Sequence, residues 1–230
     1  MPASGLVALV GASDCGKSTL LRQLAANIVK GEQFLKWETK PKHKRVLYAS
    51  TEDDRCSVSK AFGMQNLNLD MSDEEAERLE FVFGSGHTLC DMVFERVEEC
   101  PYDLVIMDTF EDLCSEDINQ AHVIRKVLNP FHDISVKCGT LFLFTNHTAK
   151  NTTGRSPDKN NILGSQAFES KMRLVMQLCR DKKSGRLCLC ILKGNYLPAR
   201  MKERALMLTV DDRLVFAHEE ATVPLERITL

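Results

Sequence analysis

Short apolar runs alternate along this chain with longer amphipathic segments. The runs at 5–10, 46–50, 103–107 and 140–144 are short and mainly apolar, as expected for strands buried on both faces of a sheet. The segments at 18–30, 88–99 and 117–136 repeat their apolar positions at helical spacing, although Pro130 is expected to kink or split the last one. This alternation predicts a parallel α/β fold.

The remaining segments complete this outline. Residues 73–79 and 164–178 fit helices, and residues 81–83 fit a short strand. Further strands are predicted near 187–192, 206–210 and 214–217, with Asp211-Asp212-Arg213 as a hairpin turn. No internal repeat or linker interrupts the pattern, so we expect one domain over residues 1–230.

Composition narrows the class of protein. The chain has 230 residues, of which 43% are hydrophobic and 27% charged, which is ordinary for a globular protein. It has no apolar run of the roughly 18 residues that a membrane helix needs and no secretory leader pattern, so we expect no membrane partner and a cytoplasmic location. The formal net charge of −2 requires any nucleic-acid surface to be local.

The cysteines are interpreted as reduced thiols, mostly buried, because no CxxC pair occurs among them. Cys188 and Cys190 alternate within an apolar run, so we expect both thiols on one face of a strand, a spacing poorly suited to a zinc knuckle. The nine cysteines are Cys15, Cys56, Cys90, Cys100, Cys114, Cys138, Cys179, Cys188 and Cys190.

A GxxxxGK[ST] phosphate-loop motif joins the first strand to the first helix. Glycines at both ends let backbone amides point at phosphate oxygens, and the helix adds its positive N-terminal end. Lys17 is expected to reach the β- and γ-phosphates, and the Ser18 hydroxyl to ligate Mg²⁺, which predicts ATP with magnesium as the ligand. The residues expected to contact the nucleotide are Gly11, Ala12, Ser13, Asp14, Cys15, Gly16, Lys17, Ser18 and Thr19.

Carboxylates at two strand ends are candidates for the rest of the site. Asp108 ends an apolar strand and is predicted to ligate the same Mg²⁺, the alternative being an N-cap for the next helix. Hydrolysis also needs a group that orients or deprotonates water. Glu52, after the second strand, and Glu111, after Asp108, both remain open for that role.

Six segments, taken in order, resemble RecA/DnaB-type P-loop ATPases, and most closely RepA-like hexameric replicative helicases. They are GASDCGKST at 11–19, LYASTED at 47–53, DLVIMDT at 103–109, LFTNHT at 143–148, GSQAFESKMRLVMQL at 164–178 and LKGNY at 192–196. The resemblance implies a RecA-like α/β/α sandwich with a core over about 5–210, a mainly parallel sheet and C-terminal antiparallel strands.

The same resemblance implies roles for individual residues. It favours Glu52 as the water activator, and His147 as the sensor of the γ-phosphate, with Asn146 as an alternative sensor. Arg173 matches the position of an arginine finger offered to a neighbouring subunit, and Lys193 is a second candidate for that contact. Self-association as a hexamer or another ring or filament follows from these roles.

The partner is less determined than the fold. The polar loop Ala149–Ile162 carries Lys150, Arg155 and Lys159, which could follow a DNA backbone. The leading expectation is an oligomeric helicase or translocase on DNA. The alternative is a nucleotide-dependent switch or assembly ATPase with a protein partner, and a small-molecule kinase is disfavoured because no arginine-rich lid is evident.

Overall fold

The computed structural model describes residues 1–149, 154–164 and 166–230. Within them, nine strands form one sheet in the order β3-β2-β4-β5-β1-β6-β7-β8-β9. The strands from β3 to β6 in that order are parallel, and β7, β8 and β9 are antiparallel. The strands are β1 (Gly5–Gly11), β2 (Val46–Ser50), β3 (Leu79–Phe83), β4 (Leu104–Asp108), β5 (Leu141–His147), β6 (Leu174–Arg180), β7 (Leu187–Gly194), β8 (Arg204–Val210) and β9 (Phe216–Pro224).

Helices cover both faces of the parallel part of the sheet. One face packs against α1 and α2, and the other against α4, α5 and α6, giving two apolar cores. The helices are α1 (Lys17–Lys30), α2 (Arg55–Leu69), α3 (Asp73–Ala76), α4 (Gly86–Glu99), α5 (Ala121–Cys138) and α6 (Gln166–Lys171). This three-layer α/β/α arrangement, with its antiparallel C-terminal strands, confirms the predicted fold class.

Helix α5 is continuous through Pro130, so the predicted split at this residue is wrong. A proline inside a helix removes one backbone hydrogen bond and disfavours helix by about 3 kcal/mol. Leu128 and Phe131, on either side of the proline, are both fully buried against the sheet. Their burial offsets the local cost, because tertiary packing supplies most of the stability of such helices.

The segment predicted as a helix over 164–178 is mostly not helical. Helix α6 ends at Lys171, and strand β6 begins at Leu174 and pairs in parallel with β1. Val175 packs on the α5 side of the sheet and Leu178 on the α1 side, so both faces of this strand are buried. An apolar run buried on both faces has no period-two pattern, which is why its sequence is also compatible with a helix.

Two segments near the second strand also differ from the expectations. Residues 73–79 form a helix only over Asp73–Ala76, because Leu79 already belongs to β3. Residues 55–69 form the unpredicted helix α2, whose N-cap Asp54 accepts a hydrogen bond from Ser57 N at 2.7 Å. Much of α2 faces solvent, so its apolar periodicity is weak. Among the described residues, no helix is long and apolar enough to cross a membrane.

Candidate functional site

The phosphate loop connects the carboxyl end of β1 to the start of α1. Gly16 has φ +96° and Asp14 has φ +58°, so the chain passes twice through the left-handed region. A Cβ on Gly11 would lie 2.5 Å from the carbonyl oxygen of Leu178 on β6. Glycine is therefore required at Gly11 by the neighbouring strand, and at Gly16 by its backbone conformation.

Lys17 lies within this loop with its amine held by the loop itself. Its Nζ donates hydrogen bonds to Gly11 O at 3.2 Å and Ala12 O at 3.0 Å, and the residue is only 8% exposed. Helix α1 starts at this lysine, and within the described part of the chain no side chain caps its first turn. The loop thus combines a buried ammonium group with the positive end of a helix, the combination that binds phosphate groups.

Three residues singled out from the sequence meet beside the loop. Nδ1 of His147 lies 3.5 Å from Nζ of Lys17, and its Nε2 lies 3.7 Å from Oε1 of Glu52. Glu52 follows the end of β2, while His147 ends β5, and these strands end at the same edge as β1. The Glu52 side chain is 55% exposed, so water can reach it.

The alternative residues at this position have other contacts. Asn146 is buried; its Nδ2 donates to Leu163 O at 3.1 Å and its Oδ1 accepts from His147 N at 2.8 Å. Glu111 Oε1 also accepts from His147 N, at 3.2 Å. Asn146 and Glu111 therefore position the backbone of His147, and the imidazole of His147 faces Lys17.

Asp108 is buried at the end of β4, and each of its oxygens accepts a hydrogen bond from a hydroxyl group. Tyr48 Oη donates to Oδ2 and Thr145 Oγ1 donates to Oδ1, both at 2.6 Å. The next helical turns are capped by other residues, Phe110 and Gln120, so the N-cap alternative for Asp108 is wrong.

Tyr48 links the two predicted metal ligands. Burial and the nearby charge of Asp108 raise the pKa of Tyr48 well above its ordinary value, while a hydrogen bond with Ser18 acts in the opposite direction. The phenol therefore stays protonated and interacts with both Asp108 and Ser18. These two side chains, far apart in sequence, lie on either side of one hydroxyl group.

Comparisons with known proteins agree with this architecture. The family model AAA_25, described as an AAA domain, matches residues 1–153, which is more than half of the chain. The chain belongs to this AAA domain family. A search of curated proteins finds no match to this AAA-family chain.

Solved structures share the fold at low sequence identity. The ATPase domain of a helicase is 12% identical with a TM-score of 0.74, and the match covers 96% of this chain and 86% of that one. The KaiC-like protein PH0186 from Pyrococcus horikoshii is 14% identical with a TM-score of 0.69, covering 95% and 91%. Family and fold together confirm that the chain is a RecA/DnaB-type P-loop ATPase domain.

Arg22 is a residue of this AAA-family site that the sequence did not reveal. It is buried on α1, and its guanidinium donates to Thr19 Oγ1 and Gln65 Oε1, each at 3.2 Å. Its Nη1 also lies 3.8 Å from Oδ2 of Asp53. Arg22 therefore connects the phosphate-loop helix to α2 and to the residue that follows Glu52.

Burial raises the pKa of the Cys15 thiol in the phosphate loop. Its Sγ packs where a Cβ on Gly11 would stand. The side chain therefore fills space behind the loop as a neutral thiol.

The two candidates for a contact in trans lie at the opposite edge of the sheet. Nη1 of Arg173 donates to Ser4 O at 3.2 Å, and the side chain packs on Gly5 at the start of β1. Nζ of Lys193 lies 2.8 Å from Glu169 O and 3.2 Å from Glu169 Oε1. Since β1 ends at the phosphate loop, neither side chain reaches the chain's own nucleotide site.

The polar loop over 149–162 is described only in part, because Lys150 lies outside the described residues. Arg155 and Lys159 are exposed. Gly154 N donates to Leu230 O at 2.8 Å, and Leu230 N donates to Arg155 O at 2.9 Å, so the described part of the loop pairs with the C-terminal tail. Its basic side chains are presented to solvent from an anchored backbone.

Proposed function

We propose that this domain binds Mg–ATP at residues 11–19 and hydrolyses it within an oligomer of the RepA-like kind that moves on DNA. The observation that carries the proposal is the line of contacts Lys17–His147–Glu52, which joins the phosphate loop to an acidic group reachable by water. A carboxylate, an imidazole and an ammonium group in this order suit cleavage of a terminal phosphoryl group.

The loop fits the phosphates of a nucleotide. Gly11 and Gly16 let the backbone wrap closely, and the first turn of α1 lacks a capping side chain among the described residues. The Lys17 amine, now on the carbonyl groups of the loop, is within reach of the same space. This support is for phosphate binding, and the family makes ATP the expected nucleotide.

The donor set beside the loop fits Mg²⁺, which prefers oxygen ligands. The Ser18 hydroxyl and the Asp108 carboxylate would hold the ion, and both interact with Tyr48. A bound Mg²⁺ would neutralise charge on the phosphate oxygens. Tyr48 and Thr145 each donate to one Asp108 oxygen, so they fix the direction in which the carboxylate presents its remaining lone pairs.

In the proposed reaction, Glu52 accepts a proton from water as the water oxygen attacks the γ-phosphorus. Lys17 stabilises the negative charge on the transferred group. His147 lies between Lys17 and Glu52, so loss of the γ-phosphate would change its surroundings and be transmitted into the loop that follows β5. His147 thereby serves as the sensor.

The assembly part of the proposal rests on residues that the domain's own site leaves unused. Arg173 and Lys193 lie close together in the sheet, since Val175 pairs with Lys193. Both lie at the edge opposite the phosphate loop, where a neighbouring subunit's nucleotide could meet them in a ring. Arg173 is the preferred finger because a guanidinium group can contact phosphate in a bidentate manner.

DNA is proposed as the track because Arg155 and Lys159 are exposed on the loop that follows the sensor strand. Phosphate contacts of this kind depend on charge and not on base sequence. The second candidate function is an ATP-dependent switch with a protein partner. The pairing of this loop with the C-terminal tail favours that candidate, because it limits how far the loop can follow a strand.

Steady-state ATP hydrolysis with Mg²⁺, measured with single-stranded DNA, with RNA and with neither, tests the proposal. Wild-type protein should hydrolyse ATP faster with DNA, and Lys17→Ala should lose both ATP binding and turnover, whereas the exposed Lys60→Ala on α2 should retain them. Turnover that no nucleic acid stimulates would favour the protein-partner switch. ATP affinity unchanged in Lys17→Ala would overturn the phosphate-loop assignment.

A further inference from the structure

Three buried cysteines from two neighbouring strands place their sulfur atoms together. Cys179 Sγ lies 3.2 Å from Cys188 Sγ and 3.9 Å from Cys190 Sγ, and all three sulfurs lie within 4.8 Å of one another. Cys179 is on β6, directly opposite Cys188 on β7, and Cys190 is two residues further along the same face of β7. Among the described residues, no other group of three or more histidine, cysteine or acidic side chains has this geometry.

The surroundings of the three thiols are apolar and closed. Cys188 and Cys190 have no exposed surface, and Cys179 is 5% exposed. Ala205, Met207 and Ile228 complete the buried cluster, and Met207 lies opposite Cys188 on β8. Within the described part of the chain, the donor atoms of this group are the three sulfurs.

The C-terminal tail closes the cluster over the edge of the sheet. Ile228 is buried in it, and Leu225 and Leu230 pack against it. Backbone hydrogen bonds hold the tail: Thr229 N donates to Asp181 Oδ1 at 3.0 Å, and Lys182 N donates to Thr229 O at 2.8 Å. The thiols are therefore reached when the chain folds or when the tail lifts.

We propose that Cys179, Cys188 and Cys190 form a binding site for one thiophilic d¹⁰ cation, of the Zn²⁺ or Cu⁺ class, held by three thiolates. Thiolates bound to a common ion at about 2.3 Å have their sulfurs about 4 Å apart, so the observed separations need only small rotations of the side chains. Soft sulfur ligands without oxygen donors select such ions over Mg²⁺. The site is separate from the proposed nucleotide site.

Binding would exchange protons for the metal. Hydrogen bonds with Cys188 and Cys190, together with burial, raise the pKa of the Cys179 thiol, so this sulfur carries its proton when no metal is bound. The ion bonds to sulfur as the thiol proton leaves to solvent, with no change in oxidation state. The affinity should therefore rise with increasing pH.

Titration of the reduced, full-length protein with Cd²⁺ tests the site, with thiolate-to-cadmium charge-transfer absorption and bound-metal analysis as readouts. Wild-type protein should bind one equivalent, and competition with Zn²⁺ and with Cu⁺ should identify the preferred ion. Cys188→Ala and Cys190→Ala should each lower the affinity at least tenfold. Cys90→Ala removes another buried cysteine outside the cluster and should leave the affinity unchanged.

X-ray absorption spectroscopy of the cadmium-loaded wild-type protein provides a test that needs no variant, since it counts the sulfur neighbours of the metal. Three sulfur neighbours support the proposal even if a cluster variant fails to fold, as judged by circular dichroism. Absence of bound metal in the wild type, or equal affinity in folded Cys190→Ala, would overturn it. A disulfide between Cys179 and Cys188 that persists under reducing conditions without metal would also overturn it.

Discussion

The carboxylate of Asp108 is oriented by the phenol of Tyr48, a fully buried residue whose hydroxyl lies 2.6 Å from Oδ2. Removing the hydroxyl in Tyr48→Phe leaves the ring in place but takes a donor away from a charged acceptor. We expect a loss of about 1.5–3 kcal/mol in the free energy of unfolding, measured in urea. We also expect ATP hydrolysis to need more Mg²⁺ for half-maximal rate.

Tyr102→Phe is the matched control for Tyr48→Phe. Tyr102 is also buried, but its hydroxyl interacts with Glu80 and Arg45, away from the phosphate loop. Its removal should affect stability without changing the dependence on Mg²⁺. If Tyr48→Phe and Tyr102→Phe respond to Mg²⁺ alike, the role given to Tyr48 is wrong.

The sequence predicted individual site residues where a motif or a strand end marked them. Lys17 and Ser18 follow from the phosphate-loop pattern, and Glu52 and His147 follow from the resemblance. Tyr48 and Arg22 were missed because a tyrosine in a buried strand and an arginine in an amphipathic helix have ordinary structural roles in most proteins. Their contacts depend on the order of strands in the sheet and on the packing of α2.

At the scale of elements, the junction of β1 with β6 is a point where glycine is obligatory. In Gly11→Ala the new methyl group would meet the Leu178 carbonyl oxygen, which is backbone and cannot rotate away. We expect a loss of about 1–3 kcal/mol in the free energy of unfolding, measured by urea denaturation, and weaker ATP binding.

Gly63→Ala, in the middle of α2, is the corresponding control. Nothing lies within 4 Å of a Cβ built on Gly63, and the residue is helical. The variant should gain about 0.5–1 kcal/mol in the same denaturation experiment, because alanine favours helix over glycine. Destabilisation of similar size in both variants would show that the β1–β6 contact is not special.

The same pair of strands shows why part of the fold could not be predicted from sequence. The apolar residues of 164–178 satisfy a helical pattern, and their assignment to β6 depends on a parallel ladder with β1, residues that are distant in sequence. Assigning Cys179 to a strand requires that ladder. The cluster with Cys188 and Cys190 therefore stayed hidden, although the common face of the latter two was predicted and is confirmed.

At the scale of the whole molecule, the location of Arg173 makes activity depend on neighbours. Arg173→Ala should leave ATP affinity largely intact while turnover falls by about 10³-fold or more, the size of effect expected for an arginine finger. The specific activity of the wild type should rise with protein concentration until assembly saturates. Arg125→Ala, at an exposed position on α5, should behave like the wild type.

Mixing inactive Arg173→Ala and Lys17→Ala subunits separates a contact in trans from a structural role. A site with wild-type Lys17 can then borrow wild-type Arg173 from the next subunit, so some activity should return. If mixing restores nothing, the same experiment with Lys193→Ala tests the second candidate. Activity independent of concentration and of both residues would favour a self-contained ATP switch.

The central claim is that Glu52, linked to Lys17 through His147, activates the water that cleaves ATP. Single-turnover hydrolysis in Glu52→Gln and Glu111→Gln, with ATP affinity measured in the same samples, tests it most directly. Glu52→Gln should bind ATP as the wild type does and hydrolyse it about 10²-fold more slowly or worse, while Glu111→Gln keeps most of its rate. Loss of hydrolysis in Glu111→Gln with a normal rate in Glu52→Gln would contradict the account.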